Sequence, residues 1–166
     1  MTIKKKLIKE RLSYSGLFDL AGIYGYAYSW LDEEDFGVSE EKYNEKVSGN
    51  TRDIYIEWKA TKEVSDYFNI EYKMEFTISG LSEVEVEIDG ERKKMNKGKF
   101  ELVIKGTLVQ DPRSKWDVSP AYRMFRDVYS KYIIPGRVND AEDQVRDKAS
   151  DLREALKVFF DITARK

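Results

Sequence analysis

The side chains that do most enzyme chemistry are missing from this chain, which contains no histidine and no cysteine. Their absence excludes Ser-His triads, thiolate nucleophiles, imidazole bases and zinc sites of the Cys/His type. Carboxylates, lysines and tyrosines remain, and none of them has a recognisable catalytic spacing. We therefore expect a protein that is not an enzyme, with no cofactor and no metal site.

Three glutamates, Glu83, Glu85 and Glu87, alternate with apolar residues and predict an acidic stripe on one strand. Three glutamates of neighbouring strands are expected on the same face, namely Glu71, Glu75 and Glu101. Clustered carboxylates can bind Ca²⁺ or form an acid/base pair, but an open sheet face does not desolvate them. We interpret the stripe as a solvated charged face.

A basic segment lies between two predicted strands, and its five cations are Arg92, Lys93, Lys94, Lys97 and Lys99. Lysines and arginines on a loop can reach the phosphates of a polyanion. No aromatic side chain interleaves these cations, and the net charge of the chain is −2, so nucleic acid is not an expected partner. We interpret the segment as a solvated loop, and the cations from Lys4 to Arg11 as a basic segment of the same status.

Aromatic side chains are concentrated at Tyr24, Tyr26, Tyr28 and Trp30. Residues 16–36 fit a helix by their apolar spacing and also fit a strand, because these four aromatics alternate with small residues. We favour the helix because the apolar pattern is longer than a typical strand. In both cases the aromatics point in more than one direction, which makes them the candidate interaction surface for a protein partner or for self-association.

The elements that must position these residues begin with a sheet. Four segments alternate apolar and polar residues with even-numbered residues apolar: 53–60, 68–79, 83–88 and 100–108. This pattern predicts an antiparallel meander with one face on a core. A three-residue hairpin loop, Val64–Asp66, would place Lys59 opposite Glu71 and Glu57 opposite Lys73, which favours that register.

Two C-terminal helices are expected to follow as a helical hairpin over residues 119–166. Ser119-Pro120 predicts the start of the first helix and Pro135-Gly136 its end, and Asn139 or Asp140 caps the second. The second helix has a narrow apolar seam formed by Val145, Ala149, Leu152, Leu156 and Phe159. Such a helix packs on the sheet or against the preceding helix, or alternatively its seam pairs with a helix of a partner.

Residues 1–166 are therefore expected to form a single α+β domain. An antiparallel meander of four or more strands is packed on one face by an N-terminal helix and two C-terminal helices. Residues 1–15 are an edge strand or a basic arm, and residues 37–50 are a charged connection with a helical turn around 40–46. The arrangement resembles the helix-grip architecture of hydrophobic-ligand carriers, although fewer strands follow the long one and two C-terminal helices are present.

The favoured function is a non-catalytic interaction or assembly module. The alternative is a carrier that binds a small apolar ligand between sheet and helices, as the helix-grip resemblance implies. Weak polyanion binding through residues 92–99 is the third hypothesis. No apolar stretch is long enough for a membrane span or a signal peptide, so a cytoplasmic location is expected. Abundant Lys and Glu with few Gln and no Cys fit a protein from a hot environment.

Overall fold

The computed structural model describes residues 3–65, 67–110, 124 and 135–164. Its elements, in chain order, are β1 (Ile3–Phe18), α1 (Leu20–Glu33), β2 (Gly37–Ser48), β3 (Thr51–Glu63), β4 (Phe68–Ile88), β5 (Glu91–Gln110) and α2 (Pro135–Ala164). The strands form one antiparallel sheet in the order β1-β5-β4-β3-β2. The predicted α+β class with an antiparallel sheet is confirmed.

The helical layer differs from the expectation, because the described residues contain two helices where three were predicted. The first predicted C-terminal helix, from Ser119, lies outside the described residues apart from Met124. Pro135 is the first residue of α2 that the structure describes, and proline suits the first turn of a helix because no backbone N–H is needed there. The expected cap at Asn139 or Asp140 is wrong, because both residues lie within α2. At the other end of the chain α1 begins after Asp19, whose Oδ1 accepts a hydrogen bond from the Gly22 N–H at 3.1 Å.

The core lies between the two helices and one face of the sheet; the opposite face is called the outer face below. The buried sheet residues are mostly those predicted: Ile54, Ile56, Trp58, Phe68, Ile70, Tyr72, Met74, Phe76, Ile78, Phe100, Leu102 and Ile104. The buried seam of α2 ends at Phe160 instead of the predicted Phe159, because the last buried residue follows Leu156 by four residues rather than three. Helical spacing after Ser119-Pro120 also predicts Phe125 and Val128 as core residues, but these two residues and the side chain of Ile88 lie outside the description.

The register of the β3–β4 hairpin differs by two residues from the prediction. Lys59 lies opposite Lys73 and Glu57 opposite Glu75, so like charges face each other directly. The turn sets this register, because backbone N–H groups at its start donate to the carbonyl oxygen of Phe68. Opposite charges then meet on the diagonal, where Lys73 Nζ lies 2.9 Å from Glu57 Oε1. The predicted ion pairing is thus achieved between diagonal neighbours rather than direct ones.

A β-bulge reverses the two faces of β4 near its end. Gly80 and Leu81 together oppose Gly98, and Gly80 has a φ of +60°, which glycine adopts without strain. Leu81 is fully buried, whereas Val84 and Val86 lie on the outer face and are only partly buried. The prediction that Val84 and Val86 belong to the core is therefore wrong.

The same bulge corrects the predicted acidic stripe. Glu83 pairs with Asn96, whose side-chain oxygen accepts a hydrogen bond from the Leu20 N–H of α1, so Glu83 faces the helical side. The stripe of Glu83, Glu85 and Glu87 consequently lies on the opposite face of the sheet from Glu71, Glu75 and Glu101. The six glutamates do not form one cluster.

The predicted basic loop is a strand. Asp89 and Gly90 form a two-residue turn with φ values of +52° and +80°, and β5 begins at the next residue. Glu85 of β4 lies directly across from Lys94 of β5, and this pair of unlike charges stabilises the strand pairing. The five cations all belong to β5: Arg92, Lys93, Lys94, Lys97 and Lys99.

Both edges of the sheet differ from a simple meander. Residues 37–48 form the edge strand β2, not a connection with a helical turn. This strand is exposed on both faces along most of its length, so it lacks the alternation that identifies a half-buried strand. Residues 3–15, expected to be an edge strand or a basic arm, belong to β1 and pair with β5 at the other edge. No described helix is long and apolar enough to cross a membrane.

Candidate interaction surface

The four aromatic residues predicted as an interaction surface lie on two sides of α1. Tyr24 and Tyr28 are one helical turn apart and both approach Trp58 of β3. Tyr26 points towards α2, where its ring stacks on Phe159 with a centroid distance of 5.0 Å. Trp30 is half-buried against the core. The helix therefore brings together only Tyr24 and Tyr28.

A third tyrosine, Tyr43 of β2, joins this pair. Tyr43 lies opposite Ile56, on the helical side of the sheet. On the same face of β2 is Glu40, which accepts the hydrogen bond of the Tyr24 hydroxyl. We call Tyr24, Tyr28 and Tyr43 the tyrosine cluster. The buried Trp58 supports it, because its ring lies 4.7 Å from that of Tyr24 and 6.3 Å from that of Tyr28, both edge-to-face.

The outer part of the tyrosine cluster is open to solvent. Tyr28 is 48 % exposed and Tyr43 is 51 % exposed, and Val47, four residues further along β2 on the same face as Tyr43, is 64 % exposed. Large aromatic side chains held by a buried neighbour lose little conformational entropy on binding, which is why tyrosine is frequent at protein interfaces. This exposure makes the tyrosine cluster the strongest candidate contact surface among the described residues.

Charged groups of both signs surround the cluster. The Tyr24 hydroxyl donates to Glu40 Oε1 at 2.8 Å, and the Tyr43 hydroxyl donates to Glu45 Oε2 at 3.2 Å. Arg52 forms an ion pair with Glu45, with 3.1 Å between Nη1 and Oε1. Burial and the neighbouring Glu40 raise the pKa of Tyr24, so its hydroxyl stays protonated and remains a donor. An apolar centre with a polar rim is typical of a protein interface.

Sequence reasoning missed Tyr43 and Val47 because residues 37–50 were interpreted as a connection. The only signal was that Tyr43 and Val47 are apolar residues of the same parity just before the Gly49-Asn50 turn. The charged Glu45 lies between them on the same face, so the apolar alternation that indicates a strand is absent. The assignment of Tyr43 and Val47 to the helical side of the sheet depends on the position of β2 beside α1, which the sequence pattern does not encode.

No catalytic arrangement emerges among the residues described. They contain no group of three or more acidic residues placed to hold a metal ion. The pKa of Glu57 is lowered, mainly by its hydrogen bond with Lys73, which is the opposite of what a general acid requires. Two basic residues of β5 form ion pairs with acidic residues. Lys94 Nζ lies 4.0 Å from Glu83 Oε1, and Lys99 Nζ lies 3.0 Å from Glu101 Oε1. Polyanion binding there stays a prediction.

The interface between α2 and the sheet is closely packed. The buried Tyr72 hydroxyl donates to the Val145 carbonyl oxygen at 2.6 Å, which joins the centre of the sheet to the helix. At Gly106 an added Cβ would lie 2.8 Å from Ile8 Cγ2 and 2.8 Å from Val145 Cγ1. The helix thus approaches the sheet at a glycine, and these contacts leave no space for a ligand at this point of the interface. The carrier hypothesis stays a prediction without support from this packing.

Comparison of the chain with protein-family models, with curated proteins and with solved structures gives no match. The functional argument therefore depends on the geometry of this chain itself. That geometry presents one exposed aromatic cluster on the helical side of the sheet, next to the free edge of β2.

Proposed function

We propose that the protein is a non-catalytic assembly module that associates through the tyrosine cluster. The observation that supports this most strongly is the half-exposed pair Tyr28 and Tyr43, of which Tyr28 packs edge-to-face on the buried Trp58. Truncating tyrosines in such positions commonly removes a large part of the binding free energy of an interface.

The proposed partner is a second copy of this chain. The rim of the cluster contains both acidic residues, Glu40 and Glu45, and the cation Arg52, so a two-fold arrangement can place the acids of one protomer near the arginine of its partner. The net charge of −2 adds little repulsion between copies. The free edge of β2 continues the surface and increases the area available for contact.

The test is the molar mass in solution, measured by light scattering over a concentration series for the wild type and for three serine variants. Tyr28→Ser and Tyr43→Ser remove exposed rings from the cluster and should each weaken the dimer about tenfold or more. Tyr26→Ser is the matched control, because this exposed tyrosine lies on the same helix but faces α2. It should leave the dimer unchanged.

Two results would contradict the proposal. The first is a wild-type mass that stays at one chain at all concentrations. The second is an equal loss of association in all three variants, which would indicate a general effect on α1 instead of a local surface. Thermal unfolding of each variant separates loss of contact from loss of folding, since exposed positions contribute little to stability.

A further inference from the structure

A groove with a volume of about 680 Å³ lies on the outer face of the sheet, opposite the face on which the tyrosine cluster is found. Its lining residues come from β1, β4 and β5. Five of them are lysines and one is a glutamate: Lys4, Lys6, Lys9, Lys73, Lys105 and Glu71. We call it the outer groove. Its volume is in the range of small-molecule binding sites.

The lysines of the outer groove occupy a row that crosses neighbouring strands. Lys9 pairs directly with Lys105, and Lys105 pairs directly with Lys73. The row continues to Lys59, which pairs with Lys73. Like charges directly opposite each other destabilise a sheet, and diagonal ion pairs with Glu57 and Glu75 offset this for Lys73 and Lys105. Protection of a sheet edge explains exposed lysines on the edge strand β1, but not those on the interior strands β4 and β5.

Acidic residues neutralise the middle of this row but lie beneath the ammonium groups. Lys73 Nζ lies 2.9 Å from Glu57 Oε1, and Lys105 Nζ lies 3.2 Å from Glu75 Oε1. The two glutamate side chains are 12 % and 22 % exposed, whereas the two lysine side chains are 49 % and 42 % exposed. Because an ammonium group has three N–H donors, each lysine keeps donors for a ligand in solvent.

The β1 end of the groove is not neutralised. Lys4, Lys6 and Lys9 are exposed and form no ion pair with any residue that the structure describes. The acid that lines the groove, Glu71, is engaged with Lys59, with 3.9 Å between Nζ and Oε2. A bulge at Leu7 moves Lys4 and Lys6 onto the same face as Lys9. The groove therefore has an excess of positive charge in a chain whose net charge is slightly negative.

From this geometry we propose that the outer groove binds a small molecule with several linked phosphate groups. The lysines of β1 extend along about 15 Å of strand, and the row across the sheet spans about 10 Å from Lys9 to Lys73. Several phosphates are needed to contact ammonium groups so far apart. The described residues that line the groove include no aromatic side chain, so they offer no base stacking, on which single-stranded nucleic acid binding depends.

The test is isothermal titration calorimetry with inorganic tripolyphosphate as the probe, with sulfate as the comparison anion. Tripolyphosphate should bind the wild type, and sulfate should bind at least about tenfold more weakly, since it meets fewer ammonium groups. Lys6→Gln and Lys9→Gln should each reduce the affinity for tripolyphosphate about tenfold. Both residues are exposed, so the variants are expected to fold normally.

Lys93→Gln is the matched control. Lys93 is an exposed lysine on β5 without an ion pair among the described residues, and it lies far along the strand from the groove. Its replacement should leave the affinity for tripolyphosphate unchanged. Equal losses in all three variants would overturn the proposal in favour of non-specific charge attraction. Binding of a single-stranded oligonucleotide without binding of tripolyphosphate would overturn it in favour of a nucleic acid site, and absence of any binding would overturn it outright.

Discussion

Replacement of Gly106 by alanine is the perturbation that most directly probes the packing of α2 on the sheet. The added Cβ would lie 2.8 Å from Ile8 Cγ2, 2.8 Å from Val145 Cγ1 and 3.0 Å from Tyr72 Cε1. Carbon atoms in favourable contact are about 3.5–4.0 Å apart, so three side chains must move. Overpacking of this kind costs about 1–3 kcal/mol, and the lower chain entropy of alanine in the unfolded state returns about 0.5–1 kcal/mol.

From the middle of both ranges we therefore expect Gly106→Ala to lower the free energy of unfolding by about 1 kcal/mol. Urea unfolding followed by tryptophan fluorescence measures this change, because Trp58 is buried in the core. Gly25→Ala is the control, since a Cβ at this helical position meets nothing within 4 Å. It should raise the free energy of unfolding by about 0.4–1 kcal/mol.

A second substitution locates the effect. Combining Gly106→Ala with Val145→Ala removes one of the crowded methyl groups, so the alanine at position 106 should cost less in that background by about 0.5 kcal/mol or more. The reasoning would be refuted if Gly106→Ala left stability unchanged or increased it. That result would mean that there is unfilled space between α2 and the sheet around Gly106. The carrier hypothesis requires such space.

Two further predictions concern local contacts. Asp19→Ala removes the side chain that accepts the Gly22 N–H at the start of α1, so the free energy of unfolding should fall by about 0.5–2 kcal/mol in urea unfolding; an unchanged value would contradict the capping role. Glu57→Gln removes a carboxyl whose pKa is lowered in the folded protein by its hydrogen bond with Lys73. This interaction stabilises the folded protein above about pH 4.5, and the stabilisation is lost as the pH falls through the lowered pKa. Between about pH 5 and pH 3 the free energy of unfolding of the variant should therefore fall less than that of the wild type. An equal fall in both proteins would contradict the stabilising role of Glu57.

The sequence predicted the sheet well wherever one face of a strand is buried. Ile54 to Trp58 and Phe68 to Ile78 alternate because every second side chain packs on the helices. The end of β4 was mispredicted because Gly80 introduces a bulge, and one extra residue exchanges the two faces while leaving the alternation of residue types intact. A regular pattern of apolar residues therefore does not show which face is buried.

The candidate site was only partly predictable. Tyr24 and Tyr28 were identified because aromatics are conspicuous, and helical spacing separates them from Tyr26. That the pair packs on Trp58 and Tyr26 packs on α2 depends on the tertiary structure, which local spacing does not encode. Tyr43 was missed because an edge strand exposed on both faces needs no alternation. Likewise, the row formed by Lys9 and its neighbours follows from strand register, which is set by turns and bulges.

The most direct test of the central claim is the mass of the wild-type protein in solution as a function of concentration. One chain has a mass of 19.5 kDa. Association through the tyrosine cluster predicts a mass that rises towards twice this value with increasing concentration and then stays constant, since a two-fold interface closes on itself. A mass that remains at one chain throughout, with Tyr28 and Tyr43 equally exposed to solvent at every concentration, would contradict the account.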